Sequence, residues 1–147
     1  MTLSTFGAIM GFASEMLERA LDVYQTVVEK AEDPFLKETL QGLSREEGKN
    51  HSLMEQTRRE NVTEMILEPI TGLHQEDYEI DVKVLDKMKD VDLLKIALIL
   101  EESEKKFFHD ASSRVSLPEV ARIFQKIAQR KEKNLIKLKA LGLNQLL

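Results

Sequence analysis

No cysteine occurs anywhere in this sequence. Its absence excludes disulfides, thiolate metal sites, iron–sulfur clusters and cysteine nucleophiles together. There is no glycine-rich phosphate loop, no G-x-S-x-G, and no local His-Asp-Ser constellation. No apolar run approaches the ~20 residues needed to span a bilayer. A basic face is missing too: the net charge is −5, with Lys and Arg interleaved among Glu and Asp, so no nucleic-acid partner is expected. The opening MTLSTFGAIMGFASEM has an apolar stretch without a basic segment before it, and Glu15 and Glu18 follow at once. A cytoplasmic protein without a membrane anchor is expected. Only three prolines and a 5% aromatic share speak against a β-sandwich and for helices.

What is present is helical periodicity over a length that suits one domain, residues 1–147. A first helix is expected from about Leu3 to Glu32, with Phe6, Met10, Ala13, Leu17, Leu21, Tyr24 and Val28 on one face. Asp33-Pro34 reads as a cap followed by proline in the first helical position. The second helix then runs to about Asn61, aligning Leu36, Leu40, Leu43, Glu47, Asn50 and Met54. Residues 62–89 lose the period at Pro69, Gly72 and the acidic stretch 75–79, with a short helix expected at Asp81–Lys89. A connection this long suits a crossover along a bundle. A third helix should start after Asp90 and reach about Arg114. Ser116-Leu117-Pro118-Glu119 has the form of a capping box opening the fourth. That helix aligns Val120, Phe124, Ile127, Lys131, Asn134, Leu138 and Leu141, and Gly142 can end it.

The two halves repeat. Tyr24 and Phe108, Pro34 and Pro118, and Asn50 and Asn134 each stand 84 positions apart, as do Ala13 and Ala97, Glu18 and Glu102, and Gln41 and Gln125. A constant offset across two helices and a loop describes two helical hairpins of one design. The expected fold is all-α, a four-helix bundle of two repeated hairpins joined by the crossover.

Four segments carry a family resemblance. LeuSerArgGluGluGlyLysAsnHis (43–51) and IleAlaGlnArgLysGluLysAsnLeu (127–135) resemble the even-numbered helices of the rubrerythrin branch of the ferritin-like superfamily. MetLeuGluArgAlaLeuAspValTyr (16–24) and LeuGluGluSerGluLysLysPhePhe (100–108) resemble its odd-numbered helices. The resemblance implies a ferritin-like bundle in which each odd helix supplies a Glu and each even helix supplies Glu-x-x-His, together holding two irons or related metals. Carried over position by position, Glu47 and Glu101 match. Leu17 stands where a carboxylate is implied, Asn50 and Asn134 where histidines are, and Lys131 where a glutamate is. Glu104 lies one turn beyond Glu101, at a place some rubrerythrins use for an extra ligand.

Leucine cannot coordinate a metal, an asparagine amide is a feeble ligand for iron, and Lys131 brings positive charge where a cation would sit. No metal or other cofactor is therefore expected. Lys131 is expected between Glu47 and Glu101, with Asn50 and Asn134 completing the hydrogen bonds. The plainer alternative lets Lys131 snorkel outward and leaves both carboxylates in solvent. The functional expectation is a non-catalytic scaffold or interaction protein with a degenerate dimetal centre. The alternative is a rubrerythrin-type oxidoreductase or iron-handling protein, acting on peroxide or oxygen, with iron or manganese on Glu47, Glu101 and Glu104. His51 falls one residue past the ligand position, about 100° round the helix, and His74 and His109 lack metal-site spacing. Gly7-x-x-x-Gly11 reads as local close packing. Second apolar stripes on the first helix (Ile9, Phe12, Met16, Val23) and the third (Leu93, Ile96, Leu100, Phe107) suggest a homodimer through those faces, unless the crossover covers them.

Overall fold

Residues 2–61 and 70–142 are described in a computed structural model of the chain. Four helices carry the architecture: α1 (Phe6–Lys30), α2 (Pro34–Glu60), α3 (Asp90–Ser112) and α4 (Pro118–Leu141). No strand occurs among the described residues. α1 packs chiefly on α2, and α3 on α4, as two hairpins; these meet through α1 against α3 and α2 against α4. Going round the bundle, the order is α1, α2, α4, α3.

The caps explain where the helices begin. Thr5 accepts a hydrogen bond from the Ala8 amide through its Oγ1 (3.0 Å), so α1 starts three residues later than its apolar pattern implies. Asp33 caps α2 through the Leu36 amide (2.9 Å), with Pro34 in the first turn, as the sequence suggests. The capping box at Ser116 does not form: α4 is capped by Leu117, with no side-chain hydrogen bond, and Ser116 is exposed. A comparable device opens α3, where the Asp92 carboxylate accepts from the Lys89 amide (3.1 Å). Asp90 accepts from the amides of Glu32 (3.0 Å) and Asp33 (2.8 Å), tying the start of α3 to the first hairpin turn. Gly142 caps α4 in helical rather than left-handed backbone; a Cβ there would stand 2.8 Å from Leu94 Cδ2.

The expected faces of α2 and α4 are buried as read, except that Leu141 is half-buried. On α1 the core passes from Leu17 to Ala20, Tyr24 and Val27, leaving Leu21 and Val28 half-buried. A straight helix drifts about 20° per heptad against a strict seven-residue stripe, and the burial follows the drift.

The crossover differs most from expectation. Pro69 lies outside the described residues. Residues 81–89 form no helix; among the described residues of the crossover the one helical turn is a 3₁₀ segment at Gln75–Asp77. Gly72 does break the chain, at φ 85°, a backbone state that L side chains rarely adopt. The segment pairs with the N-terminus through Leu3 N–H to Leu73 O (2.9 Å) and Ile70 N–H to Ser4 O (2.8 Å). Tyr78 then drops onto Phe12 and Phe107, with ring centroids 6.4 and 5.2 Å away, while Val82, Val84 and Met88 cover the lower half of the core. The second stripes of α1 and α3 are thereby buried within the chain, with only Val23 left half-buried. A dimer through those faces would have to displace the crossover.

Candidate functional site

The apolar core is split in two. One cluster holds Leu17, Met54, Phe107, Phe108, Phe124 and Ala128; the other holds Ala20, Leu43, Leu100 and Leu138. Between these limits α2 contributes buried Glu47 and Asn50, α3 contributes Glu101 and Glu104, and α4 contributes Lys131 and Asn134. The bundle thus carries a polar layer across its waist.

Lys131 is its centre. Only 1% of its surface is exposed, so the outward-snorkelling alternative fails. Its ammonium donates to Glu47 Oε1 and to Glu101 Oε2 (2.9 Å), and lies 3.4 Å from Glu104 Oε2. Glu101 takes two further donors: the Tyr24 hydroxyl on Oε2 (2.7 Å) and Asn134 Nδ2 on Oε1 (2.7 Å). Asn134 Nδ2 also reaches Glu46 Oε2 (3.1 Å). Glu47, Glu101, Lys131 and Asn134 therefore meet as the register implies, and Glu104 joins them. Asn50 does not: it is 1% exposed, yet neither amide atom has a hydrogen-bond partner. Two contributors escaped the sequence reading. Glu46 adjoins Glu47 in the glutamate run. Tyr24 was legible as an apolar-face residue and as the aromatic seven positions beyond Leu17, the spacing that also separates Glu101 from Phe108, but not as a donor to Glu101.

Burial and charge set the protonation. Loss of hydration would push the Lys131 ammonium toward neutrality, but the fields of Glu104, Glu47 and Glu101 together hold it well above the usual lysine value. Burial raises Glu104 well above the carboxyl range, and Glu47 adds to it. Burial also raises Glu47, against the opposing pull of Lys131. Burial first, then Glu101, raises the Tyr24 hydroxyl, which stays a donor.

The 84-residue offset orders the layer. Glu47 corresponds to Lys131, Asn50 to Asn134, and Glu101 to Leu17. Tyr24, the hydroxyl donor to Glu101, corresponds to Phe108. In the other half the carboxylate and its phenol are thus replaced together, by Leu17 and Phe108, both fully buried in one cluster. Apolar replaces polar at both positions, so neither a carboxylate nor a phenol is stranded there, and the group left without a partner is Asn50, the equivalent of Asn134.

Carboxylate oxygens of Glu47, Glu101 and Glu104 lie within 4.8 Å of one another, a span that would suit a cation. The cation among them is the Lys131 ammonium. With Leu17 in the apolar core and amides where imidazoles are implied, these residues do not fit a two-metal centre. The histidines lie elsewhere: His51 Nε2 is 4.0 Å from Glu55 Oε1, while His74 and His109 are exposed. A Cβ built at Gly11 meets nothing within 4 Å, so Gly7-x-x-x-Gly11 is not a close-packing motif at that residue.

No family model matches the chain, and no curated protein matches it. Among solved structures it is similar to "Hypothetical Protein Pfu-1136390-001 From Pyrococcus furiosus", with 22% identity and a TM-score of 0.68 over 92% of this chain and 89% of that one. This likeness supports the all-helical bundle and is silent on activity.

Proposed function

We propose that this protein is a non-catalytic scaffold or interaction protein of rubrerythrin-like, ferritin-like type, in which a lysine has taken the place of the metals. The observation that carries the reading is the contact of the Lys131 ammonium with Glu47, Glu101 and Glu104. A fixed internal cation holds carboxylates from two helices as a metal would, but offers no open coordination position and no redox change. Tyr24 and Asn134 support the same arrangement by hydrogen bonds to Glu101. In this reading the layer fixes which residues face one another, and the apolar clusters on either side supply the stability.

The alternative, an iron- or manganese-dependent oxidoreductase, draws on the three clustered carboxylates and on Glu104, whose oxygens make no hydrogen bond. Anaerobic loading with Fe(II) and Mn(II), desalting and elemental analysis separate the two. Below about a tenth of an equivalent per chain is the outcome expected for the scaffold. A full equivalent that disappears in Glu101→Ala would establish the alternative.

A further inference from the structure

Positive and negative charge interleave along the sequence, and folding sorts them into rows. On α4, Arg122, Lys126, Arg130, Lys133 and Lys137 follow one another at steps of three or four residues. At about 100° per residue they fall within an arc of about 80°, on the side away from buried Lys131, and all five are exposed. On α1, Glu15, Glu18, Asp22 and Glu29 fall within an arc of about 60°, and all four are exposed. Among the described residues, neither row forms an ion pair. Like charges at this spacing repel along a helix, so each row destabilises its own helix unless opposite charge faces it.

The two rows match as surfaces. Each extends for roughly 20 Å along its helix. α1 and α4 stand at opposite corners of the bundle, because α1 meets α2 and α3 while α4 meets the same two helices from the other side. One chain therefore cannot bring its own rows together. Ile136, 61% exposed, lies beside the basic row, and half-buried Leu21 and Val28 flank the acidic one. Such apolar contacts suit a protein surface better than a phosphate backbone. We propose that the basic row of α4 docks on the acidic row of α1 in a second copy of this chain, giving head-to-tail association. Pairing either row with its own kind would set like charges together, so the signs exclude a symmetric dimer through these faces. Each contact leaves one row unused at either end, and further copies add until a ring closes. A polyanion such as duplex DNA would also accept the basic row, but it has no use for the matched acidic one. The contact involves neither the polar layer nor the apolar stripes under the crossover, so it stands apart from the reading of Lys131.

Sedimentation velocity of the intact chain tests this in about 10 mM NaCl, where charges act over about 30 Å, and in about 0.5 M, where they are largely screened. The native chain is expected to gain mass with concentration at low salt, and its association to weaken about tenfold or more at high salt. Lys126→Glu with Lys133→Glu, and separately Glu18→Lys with Asp22→Lys, alter exposed residues only. Each pair should abolish self-association while circular dichroism stays native. Mixed in equal amounts, the first chain supplies a native acidic row and the second a native basic row, so a complex of two chains and no larger is expected. A native chain that stays monomeric at about 1 mM in low salt would overturn the inference, and duplex DNA binding by that monomer would assign the basic row to nucleic acid instead. Association that persists in either reversed chain, or a mixture that fails to associate, would overturn it as well.

Discussion

Lys131 occupies in the second hairpin the position that Glu47 occupies in the first, so one exchange of sign turns a carboxylate pair into an ion pair. Truncating the lysine strands three buried carboxyl groups. Lys131→Met is expected to cost about 3–5 kcal/mol at neutral pH. The loss should shrink at acid pH, where the carboxyls take up protons, and urea melts at both pH values check it. The raised pKa values of Glu104 and Glu47 fix a second sign. A carboxyl raised in the folded state contributes stability that is complete below its ordinary pKa and is lost as pH rises through the folded value. Lys131, also raised, acts in the same sense far into the alkaline range. Half-buried Glu55 and exposed Glu132 are lowered and lean the other way, but solvent screens them. The urea midpoint of Glu104→Gln should therefore fall less than that of the native chain as pH rises from the ordinary carboxyl range. At Phe108, which lies in the apolar cluster with Leu17 and against Phe107 and Phe124, Phe108→Tyr would bury a hydroxyl without a partner and should cost about 1–3 kcal/mol.

Helices were legible because apolar spacing survives tertiary packing: every residue aligned on α2 is buried, including Glu47 and Asn50. The site was legible for the same reason, since Lys131 and Asn134 lie on the core face of α4 among Phe124, Ile127 and Leu138. Register could not reveal hydrogen bonding. Asn134 found Glu101 and Asn50 found nothing, although the two occupy equivalent places, because Leu17 faces the layer where a second carboxylate would be. Caps were less legible, since several residues can fill them. Asp33 caps α2 and Ser116 caps nothing, so Asp33→Ala should lower stability by about 1 kcal/mol. Ser116→Ala should stay within about 0.5 kcal/mol of the native chain. Thermal melts of the pair check both. Gly11→Ala, filling open space in the interior of α1, should stabilise by about 0.5–1 kcal/mol.

At the scale of the whole molecule, the crossover covers the second apolar stripes of α1 and α3. Ile70, Leu73 and Tyr78 join the core over α1 and α3, and Val82, Val84 and Met88 pack against the other apolar cluster without forming a helix. Aperiodic sequence gives no face to read, so the sequence offered this covering only as an alternative and could not name the residues that provide it. Ile99 on α3 and Ile136 on α4 remain exposed, at 47% and 61%. No described helix is long and apolar enough to cross a membrane. The bundle therefore stands on two apolar clusters separated by a layer whose central cation belongs to the chain itself. The most direct measurement is thermal melting of the native chain and of Lys131→Glu, each with and without Mn(II). If Lys131 fills the cation position, Mn(II) leaves the native Tm unchanged and raises that of Lys131→Glu, where four carboxylates await a cation. A native Tm that rises with Mn(II), or a Lys131→Glu chain indifferent to it, would contradict the exchange of metal for lysine.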